Sequence, residues 1–335
     1  MTQIAQTEHS PLPDGVVRMD RFQYNGKRYE VPIFNTANPI IILPNSDCST
    51  VPIPEDEPVI RTLNFTWDLR QFLVPRRPVS LGRLSAEELA SFVRPSGIRL
   101  LDMPIKFPDC TEYRLPAALR QFAPVIQRMV DFEHRINSRH QDYFAYLTID
   151  QRRVRSGTLH REAPCHVDGF QGARWQPKCM TNHTYTVSDV LPTAYYPQSF
   201  DFSNLDERVH DFFWEMNAQV ADKNEAHRWQ PQPGEITLMD CYCVHRGVES
   251  EIEQPRTWLR LSFEERRRIF DRLGNAHNPL FDYAWTMVER DIEQLHLVAY
   301  REDGDPLHRV FPWQALDGRP LPPGAPKTKP RLRQP

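Results

Sequence analysis

A mainly β, α+β fold with two jelly-roll sheets at its core, helices flanking the larger sheet, is what three features of the sequence predict. Residues 143–263 contain segments rich in aromatic and β-branched residues, each bounded by turn signals. Helix-period apolar stripes precede these segments, and one further stripe interrupts them. The prolines, 31 in all, punctuate both ends of the chain more than its centre.

In chain order, residues 1–60 hold SPLPDG and VPIPEDEPVI and predict an extended arm with short strands such as Ile40 to Leu43. Ser85-Ala86-Glu87-Glu88 is a capping box, with Leu89 and Phe92 following at helical spacing, so a helix is expected to stop near Pro95. Leu119, Phe122, Ile126, Met129, Val130 and Ile136 mark a longer helix from about Pro116 to Arg139, whose stripe is core packing. A third covers about Asp206 to Asp222. The predicted strands are YFAYLTI from Tyr143, KCMTNHTYTVSDV after Pro177, EITLMDCYCV after Gln232-Pro233-Gly234, and RTWLRLSF after Pro255. The resulting division is an N-terminal arm packing on the core (1–80), a helical support (81–142), the β core (143–263), a helical extension (264–315) and a disordered tail (316–335). The tail contains PLPPGAPKTKP and too little apolar content to pack.

Composition sets the class. At 335 residues, 25% charged and 40% hydrophobic, the chain is that of a globular protein with a substantial core. A formal charge of -3 supplies no broad basic field, so nucleic acid is not an expected partner. No run approaches a membrane span of ~20 apolar residues, and MTQIAQTEHSPLPDG lacks the pattern of a leader, so a cytoplasmic protein without membrane contact is expected. The six scattered cysteines read as reduced thiols. Cys241 and Cys243 form a CxC pair with no matching pair at zinc-site spacing.

Three histidines stand two residues before an acid: His140 before Asp142, His160 before Glu162, and His166 before Asp168. Spacing alone does not choose among them, because a surface or hydrogen-bonded histidine is the ordinary case. His140 sits where a helix should end, and His160 lies in an irregular segment. His166 and Asp168 fall where a strand gives way to a loop, and on extended backbone residues two apart point to one side. His245 is the best third member: it follows the Pro-Gly-acid turn and apolar strand PGEITLMD and precedes Arg246-Gly247. Two imidazoles and one carboxylate on one face of a metal leave about three positions open, an arrangement suited to iron(II).

A dicarboxylic oxo acid chelating such a metal needs a fixed cation for its far carboxylate, and arginine suits that task. Arg256, Trp258, Arg260 and Ser262 alternate with Thr257, Leu259, Leu261 and Phe263, so one face of this strand carries both guanidiniums.

HVDG, then PGEITLMD leading to His245-Arg246-Gly247, then Arg256 and Arg260 together resemble the iron(II)- and 2-oxoglutarate-dependent dioxygenases of the double-stranded β-helix fold. The resemblance covers roughly Tyr143 to Phe263. It implies His166, Asp168 and His245 as the iron ligands, 2-oxoglutarate and dioxygen as cosubstrates, and an arginine beyond the distal histidine for the 2-oxoglutarate C5 carboxylate. In one branch of the family an arginine pair four apart divides the work, the first holding 2-oxoglutarate and the second meeting an acidic group of the substrate; Arg256 and Arg260 fit. Other members use an arginine followed two residues later by serine, which Arg260 and Ser262 satisfy. Arg256 ranks first. Asn182 and Thr184 are candidate supports for 2-oxoglutarate, and Gln171, Arg174 and Trp175, on the loop beyond HVDG, are candidates to border the substrate with Arg260. The implied reaction oxidises an unactivated C–H of a small molecule, with a carboxylate-bearing one such as an amino acid as the leading candidate, and gives succinate and CO2 as coproducts. Hydroxylation is the default outcome, and Asp168 argues against a halogenase, which has a small residue there. Two rivals stand beside this reading: a non-catalytic cupin-like small-ligand-binding protein, and a metal oxidase independent of 2-oxoglutarate.

Overall fold

The computed structural model describes residues 2–3, 12–24, 27–45, 51–159, 165–168, 182–205, 210, 212–222, 227–264, 269, 273–285, 299–300 and 306–307. The chain begins with β1 (Thr2–Gln3), β2 (Val16–Tyr24), β3 (Lys27–Phe34), β4 (Ile40–Ile42) and a short helix α1 (Pro58–Arg61). Next come β5 (Val79–Arg83), α2 (Ala86–Phe92), β6 (Arg99–Lys106), β7 (Tyr113–Leu115) and α3 (Ala123–Ile136). The second half holds β8 (Phe144–Val154), β9 (Thr158–Leu159), β10 (His183–Ser188), β11 (Ala194–Tyr195) and α4 (Phe212–Asp222). It continues with β12 (Glu235–Asp240), β13 (His245–Arg246), β14 (Glu249–Ser250) and β15 (Gln254–Glu264).

The large sheet is antiparallel and runs β5-β12-β10-β15-β8-β6. Opposite it lie short pairings: β9 with β14, His166 with His245, β11 with β13, and Tyr195 with Trp229. Successive segments therefore alternate between the two layers. β8 of the large sheet leads to β9 and His166, β10 returns, β11 and Trp229 cross again, β12 returns, β13 and β14 cross, and β15 closes the large sheet. This alternation is a jelly roll, as expected.

Two sets of contacts show which way each face of β10 points. Thr186 Oγ1 lies 3.2 Å from the Tyr195 hydroxyl of the opposite layer, so Thr184, Thr186 and Ser188 face the interior of the sandwich. His183 and Tyr185 face the other way and both bond Glu133 of α3. Helix α3 thus backs the large sheet, with Val125, Ile126, Met129, Val130 and Phe132 buried. Behind this sheet the main core also takes in Leu147, Ile149, Leu259, Leu261 and Phe263.

The capping box is present as predicted: Ser85 Oγ accepts from the Glu88 backbone N–H, and a Glu88 carboxylate oxygen accepts from the Ser85 N–H. The helix expected from Pro116 is divided instead, with a 3-10 turn over Ala117–Phe122 and α3 starting only at Ala123. Pro124 is the reason, because proline has no N–H and is accommodated at the start of a helix rather than within it. The N-terminal region is more regular than an arm of short strands. β2 and β3 pair over most of their length, and Val16, Val31 and Phe34 are buried. The expected tail at 316–335 lies outside the described residues.

Candidate metal centre

The jelly roll brings His166, Asp168 and His245 together. Backbone hydrogen bonds of 2.9 Å in both directions between His166 and His245 set the two histidines side by side. Their ring centroids are 4.4 Å apart. One donor atom from each of the three residues lies within 4.8 Å of the others. Asp168 Oδ1 stands 3.9 Å from His166 Nε2 and 3.9 Å from His245 Nε2, too far for hydrogen bonds but suited to a shared ion. His245 Nδ1 is 2.9 Å from the Cys243 carbonyl. A carbonyl only accepts, so Nδ1 is the donor there, and Nε2, the nitrogen turned toward Asp168, is the candidate metal donor.

The other oxygen of Asp168 has a different partner. Arg260 Nη1 donates to Asp168 Oδ2 at 2.9 Å, and Arg260 Nη2 donates to Asp102 Oδ1 at 2.7 Å. Burial works against the Arg260 charge, but Asp168 and Asp102 outweigh it and leave the guanidinium held above its usual range. An acidic group of a substrate would have to compete with both carboxylates for this arginine. Thr148 Oγ1 donates to Asp102 Oδ1 at 3.1 Å and accepts from the Asp102 backbone N–H at 3.0 Å.

Arg256 occupies the same face of β15, about 13 Å further along at the rise of an extended strand. It is buried at 4% exposure. Its Nε donates to the Val190 carbonyl and its Nη2 to the Leu191 carbonyl, each at 3.1 Å. Among the described residues, Nη1 finds no hydrogen-bond partner. Burial pushes its pKa down to about 10, because Asp150 and Asp189 offset only part of the lost hydration. Thr184 and Ser262 lie on the opposite side of Arg260 from Arg256, with Thr184 Oγ1 donating to Ser262 Oγ at 3.2 Å. A small cavity in the sandwich is lined by Thr186, Ser188, Pro192, Thr237 and Trp258, among others.

Arg260 thus bonds Asp168 of the triad, Thr184 and Ser262 pair with each other one step beyond Arg260 on the same face, Arg256 stands further along in the other direction, and Gln171, Arg174 and Trp175 lie outside the described residues. Asp102, Thr148 and Tyr195 are polar residues here that the sequence reading did not identify. The only signal for Asp102 is an acid interrupting the apolar strand RLLDMPI.

No protein-family model matches the sequence, and neither does any curated protein. Among solved structures, the chain is similar to EvdO2 from Micromonospora carbonacea var. aurantiaca complexed with 2-oxoglutarate, with 11% identity over 64% of this chain and 91% of that one and a TM-score of 0.35. It is also similar to HygX from Streptomyces hygroscopicus with nickel and 2-oxoglutarate bound, with 13% identity, 71% and 97% coverage and a TM-score of 0.35. EctD from S. alaskensis with 2-oxoglutarate and 5-hydroxyectoine shows 16% identity, 73% and 97% coverage and a TM-score of 0.32. Among the described residues, no helix is long and apolar enough to cross a membrane.

Proposed function

We propose that the protein is an iron(II)- and 2-oxoglutarate-dependent oxygenase that hydroxylates an unactivated C–H of a small molecule, such as an amino acid or a natural-product intermediate. The observation that carries this reading is the convergence of His166 Nε2, Asp168 Oδ1 and His245 Nε2. Two imidazoles and one carboxylate oxygen fit iron(II) and leave room for other ligands. Iron(II), 2-oxoglutarate and dioxygen would together supply oxidative decarboxylation to succinate and CO2, coupled to oxidation of the substrate.

The chain's own residues bind and orient. Arg256 is the first choice for the far carboxylate of 2-oxoglutarate: it is a buried cation with an unpartnered Nη1, and an anion there would satisfy both its charge and its hydrogen-bonding capacity. Arg260, with Ser262 and Thr184 beside it, is the second choice, because its two terminal nitrogens already serve Asp168 and Asp102. The hydroxyls of Thr186, Thr237 and Tyr195, which bond one another inside the sandwich, would line the space beside Arg256. Residues 143–263 form the catalytic core in this reading, and the segments on either side support it.

Anaerobic titration with iron(II) and 2-oxoglutarate tests the proposal. A visible charge-transfer band is expected on chelation, followed by succinate on admission of air. A protein that stays colourless and makes no succinate overturns the reading. Succinate release stimulated by free amino acids, and then by other small metabolites, identifies the substrate class.

A further inference from the structure

We infer that Arg260, locked in place by Asp102, is a positioning residue that reserves a single oxygen of Asp168 for the metal. The inference rests on the metal-binding reading above and concerns a division of labour within one carboxylate. Oδ1 faces both imidazoles at 3.9 Å, whereas Oδ2 accepts from Arg260 at 2.9 Å. A carboxylate with both oxygens turned to a metal would use a second coordination position, one that a cosubstrate or dioxygen needs. A donor fixed on Oδ2 prevents that rotation.

A guanidinium can do this only if it is itself held. Arg260 projects from the rigid centre of β15, paired on one side with Thr186 of β10 and on the other with Thr148 of β8. Its second terminal nitrogen is anchored at 2.7 Å by Asp102. Asp102 reaches that place through an irregularity: the register of β6 against β8 shifts between Leu100 and Met103, and Asp102 adopts a φ of 46°. Aspartate tolerates the left-handed region better than most residues, and a bulge is a means of re-aiming one side chain out of a strand. Thr148 Oγ1 then holds Asp102 at two points, donating to its carboxylate and accepting from its backbone N–H. Elements from three parts of the chain, β6, β15 and the segment bearing Asp168, thus agree on one orientation.

Cobalt(II) binding to the full-length protein tests this without turnover, through its dissociation constant and its visible ligand-field spectrum. Arg260→Gln is expected to weaken cobalt about 10- to 100-fold, the range for partners that orient metal ligands, and to alter the spectrum. Arg260→Lys keeps the charge but cannot fork to both carboxylates, so it should fall between wild type and Arg260→Gln. Asp102→Asn should weaken cobalt less than Arg260→Gln, and the double variant should be no weaker than Arg260→Gln alone. Wild-type affinity and spectrum in Arg260→Gln overturn the inference; if that variant does not fold, unchanged cobalt binding in the isosteric Asp102→Asn does so. A loss of thermal stability with cobalt binding intact would mark a structural ion pair and also overturn it. His245→Ala separates the two levels, since cobalt binding that survives it sinks the metal reading itself.

Discussion

Strand β10 separates two buried polar clusters that differ in how their hydrogen-bonding capacity is used. On its outer face Glu133 of α3 takes His183 Nε2 at 2.6 Å, Asn137 Nδ2 at 2.7 Å and the Tyr185 hydroxyl at 2.9 Å. The carboxylate is fully enclosed, and both of its oxygens are engaged. On the inner face, one oxygen of Asp168 is engaged by Arg260 while the other stands between two imidazoles at a distance no hydrogen bond spans. The outer cluster joins a helix to a sheet; the inner one aims donor atoms at a common point. Burial of polar groups therefore does not by itself mark a functional site, whereas convergence at ion-sized separation does.

The largest effects should divide along this line. His245→Ala, or Asp168→Ala, is expected to abolish metal binding and succinate formation. Retention of metal-dependent turnover in either variant would break the distinction from the inner side. Glu133→Gln should do the reverse, costing about 3–5 kcal/mol in chemical denaturation because it unbalances a buried ion pair, with cobalt affinity unchanged. Burial alone would raise the Glu133 pKa, but the charge of His183 and the hydrogen bonds from His183, Asn137 and Tyr185 win and hold it below its ordinary 4.5. The lowered carboxylate contributes stability that is present above that value and is lost as the pH falls below it. The gap between wild type and Glu133→Gln should thus close on acidification, and a gap that widened would contradict the assigned charges.

Much of the inner cluster was legible because strand periodicity is a local property. Arg256, Trp258, Arg260 and Ser262 share a face in any extended strand, and the spacing from His166 to Asp168 carries the same information. The partners of those residues are another matter. Asp102 enters the site through a register shift between β6 and β8, and nothing in RLLDMPI states that its side chain will turn inward. The bond from Arg260 to Asp102 cannot be read from β15 either, because β6 brings that carboxylate to it. On the outer face, the stripe on α3 announced a buried helix surface, yet Glu133 finds His183 across 50 residues of sequence, a pairing that only the tertiary fold supplies. Pro124 is a local signal as well, and its missing N–H outweighs the apolar stripe that spans Pro116 to Arg139.

A third buried charge sharpens the contrast, since it belongs to neither cluster. Lys106, at the end of β6, donates to the carbonyls of Tyr143 at 2.8 Å, Phe107 at 3.1 Å and Gln141 at 3.5 Å. Burial pushes its pKa from 10.5 down to about 8, with neighbouring Cys110, Glu133, Asp109 and Asp142 recovering only part of the shift. Between those values the unfolded chain holds a proton that the folded protein has released, so this group makes stability rise with pH across the window. Lys106→Met lacks that slope. The stability of wild type relative to Lys106→Met should increase from pH 8 to 10.5 by on the order of 3 kcal/mol. A flat difference would mean that Lys106 is hydrated and that its three carbonyl bonds do not enclose it.

The smallest effect is expected where the chain's signals are wholly local. Ser85 caps α2 from the surface, and its partner Glu88 also meets Arg128 at 3.2 Å, with the two side chains 24% and 29% exposed. Ser85→Ala removes the acceptor for the Glu88 backbone N–H but leaves the Glu88 carboxylate free to accept from residue 85 and from Arg128. The cost should therefore be about 1 kcal/mol in denaturant, the usual price of a lost cap. Cobalt binding and succinate formation should stay at wild-type values, because α2 meets the sandwich through Phe92 on its outer side and places no residue against the triad. A change in metal affinity in this variant would show that the support region and the inner cluster are coupled, and would remove the basis for treating the two faces of the large sheet as independent.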